Sequence, residues 1–331
     1  MKPAWIPLVL LALGAPLAAA PAGKDPGPGR TPVILVTDIG TDIDDSWALA
    51  LALRSPELDL RLVVTDPVDT QYRAAIAAKF LEAAGRSDVP VGIGDNHGPT
   101  GDAQKTLVPW IAGYDIAKYP GRVYQDGIAA LIDVVEKSAQ PVTIIAIGPV
   151  PSLAKAVKKA PDFPAKCRFV GMFGSFDAGY GGGAPSAEAN VRVDPAALRT
   201  VLSAPWRDIL LTPLDTCGLV ELHGERYHAI WSATGDPMLR ALIESYCVFA
   251  QGQNWMRCDF FATRSTTLFD CVAVYLAYSE ELVETETISF GITDDGFTRR
   301  SAAGPFRARV AIRWKNRDGF EAQLAGRLLA P

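Results

Sequence analysis

Four aspartates, Asp38, Asp42, Asp44 and Asp45, fall within eight residues in the segment 38-DIGTDIDD-45. Carboxylates this close repel one another and raise each other's pKa unless a cation neutralises them. Oxygen donors of this kind suit calcium or magnesium better than zinc. A single Asp before a helix is most simply a cap for free backbone N–H groups, and that plainer reading stays open for Asp42. The loop is not an EF-hand, because the sixth position from Asp38 is Ile43 rather than Gly and the twelfth is Leu49 rather than Glu. Nor is it the aspartyl-phosphate loop D-x-D-x-[TV], since Ser46 stands where that loop has Thr or Val. A metal-dependent phosphohydrolase is further disfavoured because no Lys or Arg lies within the loop to cradle a phosphate.

The elements that must position these residues are legible as an alternation. Thr31–Thr37 is a continuous apolar, β-branched run, and helix formers follow from Ser46 to Leu53. Strand, acidic turn and helix in this order open a parallel sheet, whose ligands gather at the carboxyl ends of the strands. Strand signals recur at 60–65, 89–93, 142–147, 168–172 and 208–212, with helical stretches at 70–84, 126–139, 152–159 and 195–202. The expected fold class is therefore α/β, a mainly parallel central sheet flanked by helices. Residues 223–281 read as mostly helical, and the stretch 285–324 reads as hairpin strands with turns at Thr293-Asp-Asp-Gly296 and Asn316-Arg-Asp-Gly319. No linker interrupts 31–331, so one domain is expected there.

Of the 331 residues, 49% are hydrophobic and 21% charged, with a formal net charge of -5. That composition gives a sizeable core and lacks the basic footprint that nucleic acid or an anionic membrane attracts. At the start, Lys2, the apolar stretch Ile6–Leu13 and the small residues of 16-PLAAA-20 predict a signal peptide over 1–22, followed by a disordered lead-in over 23–30. The expectation is export to a periplasmic or extracellular space, with no membrane attachment after cleavage. The five cysteines show no C-x-x-C spacing, which argues against zinc. In an oxidising compartment Cys247 and Cys258 could pair, although buried free thiols suit most of the five. Whether the chain forms a homo-oligomer is left open by the sequence.

Taken together, several segments resemble the inosine–uridine-preferring nucleoside hydrolase family. The acidic loop is similar to that family's D-x-D-x-G-x-D-D signature, with two extra residues before the acidic pair and Val36 in place of the first Asp. Val89-Pro-Val-Gly-Ile-Gly94, Asn96-His-Gly98, Ala146-Ile-Gly-Pro-Val150, Ala187-Glu-Ala-Asn190 with Asp194-Pro195, and Leu268-Phe-Asp270 resemble further family motifs in order, over roughly residues 32–290. The resemblance implies Ca²⁺ held by Asp38, Asp45, Asp270 and the Ile147 carbonyl, with Asp38 as the catalytic base for a water. It implies ribose contacts from Asp44, Glu188 and Asn190, with Asp69 as a further polar group after the second strand. Asp42, inside the insertion, is either an extra metal or supporting group or a loop cap. The implied reaction is hydrolysis of the N-glycosidic bond of a nucleoside, a small-molecule partner.

The departures concentrate on the substrate side. Phe269 stands where many members carry a His that protonates the leaving base, Ala189 where the family has Phe, and Gly182 near a ribose-binding Asn. His97 is a substitute acid or merely a loop histidine. Trp110, Tyr114, Trp255 and Phe260 are candidates for stacking on a base or for filling the core. A second reading follows from Phe269: an exported nucleoside-binding protein that keeps the calcium shell and has lost turnover.

Overall fold

The computed structural model describes residues 29–96, 105–256 and 260–330. The expected signal peptide, most of the lead-in, His97 and Cys258 lie outside the described residues. The chain begins with β1 (Thr31–Thr37), α1 (Asp44–Arg54), β2 (Leu58–Thr65), α2 (Thr70–Ala83), β3 (Val91–Ile93) and β4 (Val123–Tyr124). α3 (Gly127–Lys137), β5 (Val142–Ala146), α4 (Pro151–Lys159) and β6 (Cys167–Met172) continue the alternation. After these come α5 (Ala189–Val193), α6 (Pro195–Leu202), β7 (Asp208–Thr212) and α7 (Leu214–Cys217). The expected strands and helices are all present to this point, with ends displaced by a residue or two.

Among the described residues one ten-stranded sheet runs β4-β3-β2-β1-β5-β6-β7, and three later strands extend it beyond β7. From β1 the chain builds outward on one side through β2 to β4, then returns to lay β5 on the other side of β1. Both pairings are parallel, with Val36 level with Val64 on one side and Ala146 on the other. The gap beyond the carboxyl ends of β1 and β5 is thus the point where the strand order reverses, the place where open α/β sheets bind ligands.

The strands alternate their side chains between two cores. Val33, Leu35, Val63, Ile145 and Val170 face one apolar cluster, whereas Ile34, Val36, Leu62, Ile144 and Phe169 face the other. With both faces covered, the central strands carry unbroken apolar runs. α1 is buried from Asp44 to Ala52. It packs against α9 (Pro237–Gln251) and α11 (Phe269–Tyr278), within a helical region that also includes α8 (Gly224–Ser232) and α10 (Phe260–Thr263). Cys167, Cys217 and Cys271 are buried free thiols, as expected, and burial raises the pKa of each.

The C-terminal part contains β8 (Val283–Ile292), β9 (Thr298–Arg300), β10 (Phe306–Trp314) and α12 (Arg317–Leu329). β8 and β9 form the antiparallel hairpin expected at Thr293–Gly296, closed by Gly296 at φ +88°. β10 then inserts between β7, to which it is parallel, and β8, to which it is antiparallel. The second turn differs from expectation: Asn316–Gly319 opens a helix rather than a hairpin. The Asn316 side chain accepts the Gly319 N–H at 2.9 Å, and Phe320, Leu324 and Leu328 follow at helical spacing and are fully buried. Asn and Gly serve a tight turn and a helix N-terminus equally well, so only the apolar spacing beyond them separates the two.

Candidate metal centre

β1 ends at Thr37, and the chain turns sharply through Gly40 at φ +98°. A Cβ there would fall 2.4 Å from Ile76 Cδ1 and 2.9 Å from the Tyr72 ring, so glycine is required by both conformation and space. α1 then begins at Asp44. Its N-cap residue is Ile43, which makes no side-chain cap hydrogen bond, and the same holds for Leu268 before α11. Two helix N-termini therefore carry Asp44 and Asp45 on one and Asp270 on the other, where the helix dipole favours negative charge.

One oxygen from each of Asp44, Asp45 and Asp270 lies within 4.8 Å of the other two, and all three residues are buried. The Thr37 hydroxyl donates to Asp45 Oδ1, and Asp44 and Asp270 are in side-chain hydrogen-bonding contact. Burial first, then repulsion from neighbouring carboxylates (Asp42 and Asp38 on Asp44, Asp38 and Asp44 on Asp45, Asp44 and Asp45 on Asp270), pushes all three carboxyls well above the ordinary carboxylate range. Three buried carboxylates held this close suit a hard divalent ion: calcium–oxygen distances of about 2.4 Å put the oxygens around one ion within about 5 Å of each other.

Asp38, expected among the ligands, is not one of this trio. It is close enough for its charge to help raise the other three. A Cβ on Gly148 would fall 2.5 Å from Asp38 Oδ1, so the carboxylate packs on the Ile147–Gly148 turn. Burial pushes Asp38 up to about 6, against the lowering influence of Arg73 and with a smaller upward contribution from Asp42. Asp42 accepts the N–H of Ile43 at 2.6 Å, a local bond within the loop. Asp44, expected to meet a sugar, stands instead with Asp45 and Asp270.

Ile147 begins the turn after β5, and its carbonyl accepts from Asn190 Nδ2 at 3.3 Å. Asn190 Nδ2 also donates to the Met172 carbonyl at 3.1 Å. Glu188, only 1% exposed, accepts the N–H groups of Asn190 at 2.7 Å, Gly174 at 3.1 Å and Val191 at 3.2 Å. Burial nevertheless raises it to about 7. These two residues thus join the ends of β5 and β6 beside Asp38. Asp69 is placed otherwise. It caps α2 through the Tyr72 N–H at 3.0 Å and pairs with Lys105. Burial pulls its carboxyl upward, but the hydrogen bond from Lys105 and the Tyr72 amide leave it below the usual range.

Three groups escaped sequence reasoning. Asp66, fully buried, accepts the Ser152 N–H at 2.7 Å and the Ser152 hydroxyl at 2.9 Å, capping α4 from another strand. Arg73, 2% exposed, brings a guanidinium under the acidic loop although no basic residue lies within it. Asp215 accepts the N–H groups of Phe176, Asp177 and Ala178 at 2.9, 2.6 and 3.0 Å and so shapes the loop after β6. That loop carries Tyr180, whose ring meets Phe269 edge-on at 6.0 Å and whose hydroxyl accepts the Ala189 N–H at 3.0 Å. Burial raises the Tyr180 pKa, so it keeps its proton at neutral pH. Of the aromatics singled out earlier, Trp110 is packed beneath Lys79 at 4.5 Å, Tyr114 bonds Glu82 at 2.8 Å, and Trp255 is 57% exposed.

Residues 33–321 match the sequence profile described as "Inosine-uridine preferring nucleoside hydrolase". A non-specific ribonucleoside hydrolase, RihC, of Escherichia fergusonii is 31% identical over 223 residues, covering 61% of this chain and 72% of that protein. Uridine nucleosidase 1 of Arabidopsis thaliana is 25% identical over 326 residues, covering 90% of this chain and 93% of that protein. A solved plant nucleoside hydrolase, PpNRh1, superposes with a TM-score of 0.71 at 25% identity, covering 91% of this chain and all of that one.

Proposed function

The chain belongs to the inosine-uridine preferring nucleoside hydrolase family, and from that membership we propose that it is a calcium-dependent enzyme that hydrolyses the N-glycosidic bond of ribonucleosides outside the cytoplasm. The observation that carries this reading is the buried trio Asp44, Asp45 and Asp270 at the point where the sheet order reverses, beside Asp38, Glu188 and Asn190.

Asp45, Asp270, Asp38 and the Ile147 carbonyl are the residues assigned to hold calcium, and Asp44, beside Asp45 and Asp270, would serve the ion as well as a ribose hydroxyl. When bound, calcium supplies the positive charge that acidifies and aims the attacking water. Asp38 takes the proton from that water; its raised value of about 6 without metal falls once a cation neutralises its neighbours. The water oxygen bonds to the anomeric carbon, the carbon–nitrogen bond breaks, and its electron pair leaves with the base, which takes a proton from solvent water while Asp38 later gives up its own to solvent. Glu188 and Asn190 hold the ribose hydroxyls, and the buried carboxylates stabilise the positive charge that develops on the sugar. Tyr180 and Phe269 form the wall against which the base rests. The leading segment of the sequence supports export.

The test is base release from a panel of purine and pyrimidine ribonucleosides, with and without chelator, and calcium titration by calorimetry. Asp45→Asn and Asp270→Asn lose calcium binding and turnover. Asp38→Asn lowers kcat by roughly 10²- to 10⁴-fold, whereas Asp42→Ala only weakens binding. Full activity in chelator, or in the Asp270 variant, refutes the assignment. Phe269 favours a second reading, a binding protein without turnover; calcium-dependent nucleoside binding with no base release would establish it.

A further inference from the structure

Arg73 lies in the first turn of α2, and its side chain is buried beneath the acidic loop. Its Nε donates to the Pro67 carbonyl at 2.7 Å. Its Nη1 reaches the carbonyls of Asp38 and of Ile39, the latter at 3.2 Å, and the Thr41 hydroxyl at 2.8 Å. Among the described residues no carboxylate pairs with it. A buried guanidinium costs several kcal/mol of lost hydration unless its N–H groups find acceptors, and here three carbonyls and the Thr41 hydroxyl accept from Nε and Nη1. All but the Pro67 carbonyl belong to residues of the loop that runs from the end of β1 toward α1.

The neighbouring side chain grips the same turn. The Tyr72 hydroxyl donates to the Gly40 carbonyl at 3.1 Å and accepts the Leu107 N–H at 2.8 Å. Gly40 has space for no larger residue. Two successive residues of one helix therefore hold Asp38, Ile39, Gly40 and Thr41 through their backbone oxygens and the Thr41 hydroxyl.

We propose that Arg73 is a positioning residue: its forked guanidinium ties the Asp38–Thr41 backbone to the Pro67 turn, so that the loop holds its ligand-ready path before any cation arrives. Rigid support of this kind lowers the ordering cost of binding. The guanidinium also brings a positive charge close under the acidic loop. Geometry is nevertheless the decisive part: a lysine ammonium is a compact point charge and cannot span Pro67, Asp38, Ile39 and Thr41 together.

The calcium part of this inference rests on the metal site proposed above, so two readouts are needed. In Arg73→Lys, amide hydrogen exchange of residues 38–43 in the metal-free protein speeds up about tenfold or more. Calcium affinity measured by calorimetry falls by roughly 10- to 100-fold, as for other supports of metal ligands. Excess calcium restores kcat toward the unsubstituted value, which a general folding defect would not allow. Lysine is chosen because Arg73→Met leaves several buried carbonyls without donors, a cost that threatens folding itself. Unchanged exchange of residues 38–43 in a folded Arg73→Lys protein overturns the proposal. If the unsubstituted protein itself binds no calcium, the metal reading fails, while the exchange measurement still decides what Arg73 does.

Discussion

Glu188 has three backbone N–H groups pointed at its carboxylate, yet its pKa rises from 4.5 to about 7 because burial outweighs them. The folded protein therefore holds this proton more tightly than the unfolded chain does. Its stabilising contribution is fully present below about pH 4.5 and is lost as pH rises through about 7, worth roughly 3 kcal/mol. Asp44, Asp45 and Asp270 are shifted in the same direction. Metal-free protein should then melt at lower temperature at about pH 8 than at about pH 5, and added calcium should raise Tm more at the higher pH. Thermal scans in chelator and in calcium check this; equal metal-free stability at both pH values would contradict it. At this scale the acidic loop was legible because its four aspartates are neighbours in sequence. Asp270 was reached only through the resemblance, since folding alone brings it near. Arg73 and Asp66 were missed, because an arginine in a helix suits a surface and an Asp before Pro67 suits a turn. The one cue to Arg73 was the scarcity of polar positions around it in 74-AAIAA-78.

The connection between β2 and α2 shows strain at the level of an element. Val68 has φ +63°, a region that β-branched residues rarely enter. Its carbonyl accepts the Thr70 N–H at 2.7 Å, closing a tight turn centred on Asp69. The conformation aims the Pro67 carbonyl at Arg73 and places Asp69 to cap α2. Strain of this type costs about 1–3 kcal/mol, and glycine would relieve it while adding about 0.5–1 kcal/mol of chain entropy cost. Val68 is only partly buried, so little packing is lost. Val68→Gly should raise Tm by about 2–4 °C, as read by calorimetry; a drop would mean that the valine side chain packs better than its exposure suggests. The strands and helices through β7 were readable because a two-sided parallel sheet needs unbroken apolar strands and the helices carry their own stop signals. α12 was not, because its Asn–Gly start has the composition of a hairpin turn.

Across the whole molecule, charge is divided between the two ends of the sheet. At the end opposite the metal centre, Arg168 bridges Asp208 at 3.0 Å and Glu280 at 2.9 Å. Arg309 reaches the same two acids, Asp208 at 3.0 Å. This network joins β6, β7 and β10 to the segment leaving α11, the helix whose other end carries Asp270. All four residues remain partly exposed, so solvent screens them. Glu280→Gln should cost about 1 kcal/mol, less in high salt, and should leave kcat unchanged because the chemistry lies at the far end. Denaturant titration at two ionic strengths with a parallel assay tests both parts, and a large fall in kcat would show that α11 transmits the change. The order of the last strands has a further consequence. β10 is made after β8 and β9, yet it belongs between them and β7. A nascent chain released before residue 306 would hold two bare strand edges with nothing to join them. A late stop codon would therefore yield a split sheet, prone to stick to other copies, rather than a slightly shortened protein.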